Sequence, residues 1–349
     1  MNSTNRYFKL KELVNGREDV SLSPWWVTGI TDAKGSFLIN FTSKRHFYCV
    51  FEVIIRGHSR GILYDLQRYF NCGEIILVNN KYNICKFIVT NNEDLYNKIL
   101  PHFDEYSLVT SKNLDYLDFK KVVLMCKDRL DLFNIHRREI TFIKNNMNSK
   151  RSFEERYHFY KDLDIKNLNH EWVYAFIDGR GLFYYGVYRF FDPDGPECLP
   201  IPILFIILTK DEIKLADSLQ KFIGVSNYKI YNNIKDVNNI EEIKSRKSHD
   251  IWCPFYDPEQ IIEFLDNYLM VTINYLDYED WKLLIKMYKW DLDKINLWTE
   301  MWIIKNRMYS NNIRTHWHRD NSDHTAEVYQ INSDDFVNKL KSLINKLNL

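Results

Sequence analysis

The sequence repeats itself, and the repeat constrains the fold more than any other feature. Val109-Thr110 returns as Val271-Thr272, Leu114-Asp115-Tyr116 as Leu276-Asp277-Tyr278, and Asp118-Phe119 as Asp280-Trp281, each 162 residues further on. Ile143-Lys144-Asn145 returns as Ile304-Lys305-Asn306, one residue out of step, and Leu66-Gln67-Arg68-Tyr69 matches Leu219-Gln220-Lys221-Phe222 at a spacing of 153. A common order at nearly constant spacing marks two copies of one domain in a single chain. The 349 residues suffice for two such units.

Each copy opens alike. The first begins Ser23-Pro24-Trp25-Trp26 and runs to Asp32-Ala33-Lys34-Gly35-Ser36-Phe37; the second begins Trp172-Val173 and runs to Asp178-Gly179-Arg180-Gly181-Leu182-Phe183. Ser23 and Asn169 suit helix starts, Pro24 suits the first helical position, and Gly35 suits a left-handed C-cap. The small residues Gly29 and Ala175 would let two such helices approach closely. Strand signals follow each helix: Ser36–Thr42, Tyr48–Arg56, Gly73–Val78 and Ile84–Thr90, then Leu182–Phe190, Ile203–Thr209, Tyr228–Tyr231 and Ser248–Cys253. Helices fit Arg60–Phe70, Asn92–Phe103, Ser111–Cys126, Arg138–Asn146, Asp211–Ile223, Pro258–Tyr268, Asn274–Lys289 and Asp293–Met308. The expected domains are an N-terminal extension (1–20), repeat 1 (21–150), a linker (151–168), repeat 2 (169–310) and a tail (311–349). Insertions at Asp192–Pro200 and Asn232–Arg246 distinguish the second copy. In the tail, Ser333 can cap an amphipathic helix carrying Phe336, Leu340, Leu343 and Leu347.

Composition narrows the chemistry. Lys and Arg together equal Asp and Glu at 47 each, so the chain lacks the basic excess of a general duplex binder. The six cysteines form no C-x-x-C pair or zinc spacing and read as small buried thiols. No run is long enough for a membrane span, and neither a phosphate loop, an H-E-x-x-H motif nor a nucleophile elbow is present. No cofactor or metal is expected. The N-terminus shows no signal-peptide pattern, and Glu12, Glu18 and Asp19 weaken a transit-peptide reading. The bias toward Asn, Ile, Lys, Tyr and Phe points to an AT-rich, organellar genome and a mitochondrial location.

The helix-ending pattern W-x-x-x-x-x-D-x-x-G-x-F, present twice and followed each time by strands, resembles the LAGLIDADG homing endonucleases in their single-chain, two-repeat form. The resemblance spans about Ser21 to Tyr309, and the segment His102 to Lys112 looks like the one leading to the family's active-site lysine. It implies an α+β fold of tandem αββαββα repeats related by a pseudo-two-fold axis, with curved antiparallel sheets forming a saddle over nucleic acid, and here a helical tail. No homodimer is needed for that fold. It also implies an acid just before the motif's final glycine in each repeat, where the family holds divalent metal for strand cleavage.

Both acids are missing: the positions hold Lys34 and Arg180. Ammonium and guanidinium groups are donors only and cannot ligate a divalent cation. Asp32 and Asp178 remain, but two residues earlier and nearly opposite on a helix. Lys112 survives in copy one, whereas copy two has Asn274. Catalytic residues are therefore not expected. The basic replacements either complement the helix dipole or bind phosphate directly.

Residues in step with Ser36 should face the nucleic acid: Leu38, Asn40, Thr42 and Lys44, then Glu52, Ile54 and Arg56; in copy two Leu182, Tyr184, Gly186, Tyr188 and Phe190, then Ile206, Leu208 and Lys210. That face offers few groups for reading base edges. Its aromatics either stack unpaired bases or lie under protein, the latter expected at Tyr184, Tyr188, Phe190, Ile206 and Leu208. Nucleic-acid contacts are expected at Lys34, Arg180, Lys44, Arg45, Arg56, Arg60, Lys112, Arg314, Trp317 and Arg319. The expected function is a catalytically inactive LAGLIDADG-type protein acting as an RNA- and protein-binding scaffold in an organellar ribonucleoprotein, foremost a mitochondrial ribosome. The expected partners are structured RNA and neighbouring proteins, without a membrane, and the features weigh against specific duplex DNA. The rivals are an RNA maturase assisting group I intron splicing and an active DNA endonuclease with displaced metal ligands.

Overall fold

A computed structural model describes residues 21–42, 47–56, 59–79, 84–125, 133–161, 163, 168–192, 195–225, 250–268, 270–272, 274–289, 303, 304 and 308. The expected strand Tyr228–Tyr231, the insertion Asn232–Arg246 and the tail lie outside these residues, as does nearly all of the expected helix Asp293–Met308.

The chain divides into two compact units: the residues up to Leu182 with Leu204–Tyr275, and Phe183–Ile203 with the residues from Leu276. In the first unit, α1 (Pro24–Lys34) starts with Pro24 in its first turn and leads directly into β1 (Gly35–Phe41). The chain continues through β2 (Phe47–Arg56), α2 (Gly61–Phe70), β3 (Glu74–Asn79) and β4 (Ile84–Val89). The four strands form an antiparallel sheet in the order β1-β2-β4-β3, with Ser36 opposite Glu52 and Glu52 opposite Ile88. Alternation sends Phe37, Phe51 and Phe87 into the core at 0% exposure, while Ser36, Leu38 and Asn40 stay half-buried on the other face. The expected facing of β1 and β2 holds there, with Ile54 exposed.

Helices close the core. Phe37 is ringed by Phe51, Phe103, Tyr116 and Phe119, each with its ring centroid 5.3 Å away. Each such ring contributes about 1.5–3 kcal/mol by burial. The segment expected as one helix from Asn92 is instead a turn at Asn92–Asp94, a π-helical stretch Leu95–Ile99 and α3 (Leu100–Glu105). Pro101 has no N–H to continue the usual ladder, and the adjoining turn widens so that Leu100 N donates to Leu95 O. Then come α4 (Lys112–Met125) and α5 (Phe133–Asn146).

The stretch read as a linker carries α6 (Phe153–Phe159), started by a capping box between Ser152 and Glu155. Arg151 before it is buried and pairs with Asp115 and Asp118 on α4. The second motif helix, α7 (His170–Arg180), is capped by Asn169, which accepts from Glu171 N and Trp172 N. It is followed by β5 (Gly181–Asp192), β6 (Gly195–Thr209), α8 (Ile213–Ile223), β7 (Asp250–Phe255), α9 (Pro258–Asp266) and α10 (Asn274–Lys289). Much of the expected insertion Asp192–Pro200 is therefore strand. In the second unit, Trp281 on α10 packs on Phe183 of β5 at 5.5 Å and donates from Nε1 to Tyr184 O.

The facing expected for β6 does not hold. Ile206 and Leu208 are core residues, 0% and 1% exposed, and Ile206 pairs with the fully buried Cys253 on β7. Every residue from Ile203 to Leu208 is apolar, so the sequence contains no alternation from which to read the inward face. Tyr184 is half-buried; the side chains of Tyr188 and Phe190 lie outside the description.

Candidate functional site

The two motif helices are apolar nearly all round and buried from Trp26 to Asp32 and from Trp172 to Gly179. They pack against each other through their small residues. A Cβ on Gly29 would lie 2.5 Å from Trp172 O, and one on Gly179 would lie 2.4 Å from the Ala33 Cβ. This close pairing sets the two helix ends, each a junction into a strand, beside one another. Gly35 is not left-handed; at φ −85° and ψ 164° it is extended, and its need for glycine is steric, since a Cβ would lie 2.8 Å from Thr31 O.

Asp32 is fully buried and accepts from Val109 N at 2.9 Å, Thr110 N at 3.3 Å, Thr110 Oγ1 at 2.5 Å and Trp172 Nε1 at 2.7 Å. Burial pushes its carboxyl above the ordinary range, against Thr110, Lys112, Val109 and Trp172. Asp178 makes the matching set: Val271 N at 2.8 Å, Thr272 N at 3.1 Å, and the Thr272 hydroxyl. The repeated Val-Thr pairs thus exist to lash each repeat to its own motif helix. Both residual aspartates are spent on structure.

Lys112 sends its ammonium to three carbonyls at the end of α1: Thr31 O at 2.8 Å, Asp32 O at 2.9 Å and Gly35 O at 2.5 Å. Asp32 O is among the last carbonyls of the helix, which lack partners within it, whereas Thr31 O also accepts from Gly35 N and Gly35 O opens β1. Burial and then the Arg180 guanidinium lower its pKa to about 8. Asn274 performs the same task in the second repeat, donating from Nδ2 to Asp178 O at 2.7 Å and Gly181 O at 3.2 Å. The Lys-to-Asn difference therefore keeps the clamp and drops the charge.

Lys34 ends α1 and is exposed. Arg180 ends α7 and is ion-paired with Glu212; it also reaches the Asp32 carbonyl at 3.4 Å and lies over the Phe176 ring. Burial opposes its charge, yet Glu212 carries its pKa above the ordinary value. Glu212 in turn caps the start of the α8 region through Thr209 N and contacts the Tyr160 hydroxyl, which accepts from Ser111 N at 2.8 Å. Arg180, Glu212 and Tyr160 were legible as residue types but not as a group, because they are scattered along the chain and nothing in the local pattern joins them.

The divalent metal that the resemblance implies does not fit these helix ends. The two positions that should supply oxygen ligands carry cations, and the two neighbouring carboxylates already accept several N–H and O–H donors each. Among the described residues no group of three or more His, Cys, Asp and Glu side chains could hold a metal ion. Of the expected nucleic-acid contacts, Lys34 and Arg60 are exposed, Lys112 is turned inward on its carbonyls, and Arg56 ends β2 with its side chain outside the description. Lys44, Arg45, Arg314, Trp317 and Arg319 lie outside the described residues.

Residues 27–123 match the family model for the LAGLIDADG endonuclease. Over these residues the chain is similar to the LAGLIDADG endonucleases. A probable intron-encoded endonuclease 2 of Neurospora crassa is 30% identical over 129 residues, 37% of this chain and 28% of that protein. A probable intron-encoded endonuclease 3 of the same organism is 24% identical over 277 residues, 74% of this chain and 49% of that one. The chain thus spans about a quarter to a half of the length of these curated relatives. The LAGLIDADG fold itself is shared with the I-SmaMI LAGLIDADG homing endonuclease bound to cleaved DNA, at a TM-score of 0.68 and 24% identity, covering 86% of this chain and 99% of that one.

Proposed function

We propose that this chain is a LAGLIDADG protein that does not cut nucleic acid by the family's metal-dependent route and serves instead as an RNA- and protein-binding scaffold in a mitochondrial ribonucleoprotein. One observation carries the proposal: cations occupy both metal-ligand positions, and Arg180 is held there by Glu212. An arginine paired with a buried carboxylate is costly to displace, because removing it strands the carboxylate. The pairing also supports the structural account of Arg180, whereas exposed Lys34 keeps the phosphate-binding account open for α1.

The setting follows from two lines of support. The AT-rich compositional bias suits an organellar gene, and two relatives are named as intron-encoded. That naming favours a second reading, in which the bound RNA is a group I intron and the protein is a maturase, over the ribosomal setting. Incubating the protein with a randomised duplex library and magnesium tests the central claim, and metal-dependent cutting would overturn it. Splicing rescue of a cognate intron selects the maturase reading; stable co-sedimentation with mitochondrial ribosomes selects the ribosomal one.

A further inference from the structure

The two repeats differ on one flank, where α2 meets α3 in the first and α8 meets α9 in the second. The spacing of 153 equates Tyr69 with Phe222, and the spacing of 162 equates His102 with Phe264, Glu105 with Asn267 and Tyr106 with Tyr268. In the second repeat these aromatic walls hold a planar ring from the same chain. His170, at the start of α7, lies 4.7 Å from Phe222 and 6.1 Å from Phe264, stacked on the latter at 26°. With Asp32 and Asp178 aligned, the residue in step with His170 is Pro24. The corresponding place in the first repeat is a cavity of about 310 Å³, lined among others by Tyr69, His102, Glu105 and Tyr106.

The lining suits a planar cation. Tyr69 and Tyr106 are half-buried, and aromatic rings attract cations through their quadrupole. Glu105 is exposed and accepts the Tyr106 hydroxyl, which sets its carboxylate beside that ring. The other charges of the lining are spoken for. Lys98 is turned onto Asp94 Oδ1 and Asn71 O, each at 2.7 Å. His102 is engaged on both ring nitrogens, by Thr28 at 3.2 Å and Tyr69 at 3.0 Å. Glu105 is therefore the lining charge that selects a ligand, and it selects against phosphate. The filled site of the second repeat has no such carboxylate: Asn267 is neutral and donates from Nδ2 to Glu263 O at 2.9 Å. A guanidinium is planar, as the imidazole of His170 is, stacks on aromatic faces and pairs with carboxylates.

We propose that the cavity between α2 and α3 is a docking site for an arginine side chain of a protein partner, which stacks against Tyr69 and Tyr106 and pairs with Glu105. Proteins that neutralise the phosphates of one RNA carry arginine and lysine, so neighbours on a shared RNA supply such side chains. Only this choice of partner rests on the function proposed above; recognition of the guanidinium does not.

Titrating the full chain with N-acetyl-arginine methylamide, and with the citrulline analogue that keeps its shape without its charge, tests this by saturation-transfer NMR. The expected result is saturable binding of the arginine compound that weakens about twofold to fivefold for the citrulline compound and in Glu105→Gln. Glu154→Gln, exposed on α6, should change nothing. Glu105 is exposed, so the fold should tolerate its substitution, which an unaltered melting temperature verifies. Failure of the ribonucleoprotein reading would leave this result standing, since the titration contains no RNA. Absence of saturable binding, equal affinity for the citrulline compound, or wild-type affinity in Glu105→Gln overturns the proposal. So does displacement of the arginine compound by adenosine monophosphate, which would assign the cavity to RNA bases.

Discussion

Asp32 accepts four donors at a place water cannot reach. Replacing it with Asn removes the charge and turns an amide NH2 toward N–H groups that need an acceptor. Asp32→Asn should cost about 2–4 kcal/mol, read as a shift of the urea midpoint. Lys112 permits a finer comparison, since Asn274 already shows what a neutral donor does at the equivalent site. Lys112→Ala removes the ammonium donor from three carbonyls, of which Thr31 O keeps Gly35 N, and should cost about 2–3 kcal/mol; Lys112→Asn should recover at least half of that. Equal losses for the two variants would mean that the charge, not the donor geometry, holds the helix end.

His102 makes an acid-sensitivity prediction at the same scale. Thr28 gives its single hydroxyl proton to Tyr106 O at 2.9 Å, so its oxygen must accept from His102 Nε2–H, 3.2 Å away. Nδ1 is then the acceptor for the Tyr69 hydroxyl at 3.0 Å. Both ring nitrogens are satisfied by the neutral form, and burial lowers the pKa from 6.5 to about 4. As pH falls below 6.5 the unfolded chain takes up this proton and the folded one does not, so stability drains away until about pH 4. About 2–3 kcal/mol should be lost across that window, and His102→Gln, which keeps a donor and an acceptor but does not titrate, should flatten this limb of the curve.

At the scale of elements, the motif helices set the tightest tolerance. A Cβ on Gly29 would lie 2.5 Å from a backbone oxygen that cannot rotate away. Gly29→Ala should therefore separate α1 from α7 and cost about 1–3 kcal/mol, with a fall of several degrees in melting temperature. This packing was legible in the sequence because Gly29 and Ala175 stand in apolar helical runs, where small residues have few other uses. Three features were not. The faces of β6 are hidden by an unbroken apolar run. The π-helical stretch before α3 depends on how Leu95–Ile99 packs as well as on Pro101. The buried role of Lys112 is tertiary, since the carbonyls it clamps lie some eighty positions away. The capping box at Ser152 and Glu155, by contrast, was present in the sequence as a helix start in what reads otherwise as a linker.

For the whole molecule, the balance of 47 basic and 47 acidic residues takes on a structural meaning. Arg180 is spent on Glu212, Arg151 on Asp115 and Asp118, Lys86 on Glu52, and Lys112 on carbonyls, so these four cations hold the fold rather than face a ligand. Binding to a nucleic acid that neutralises Z phosphates weakens with salt at a logarithmic slope of about −0.9Z for duplex and about −0.7Z for single strands. A protein coating a long duplex shows a slope set by roughly 6–10 contacts. Here the slope should be shallower than that, for structured RNA and duplex alike, because Arg180 and Lys112 are held by partners within the chain. Lys34→Ala should reduce its magnitude by about one unit if Lys34 meets a phosphate. Arg180→Ala should leave it unchanged and instead lower stability, since Glu212 would lose its partner. A steep slope that collapses in Arg180→Ala would reverse this assignment: the guanidinium would then leave Glu212 for phosphate on binding, and the ion pair would be the resting state of a contact.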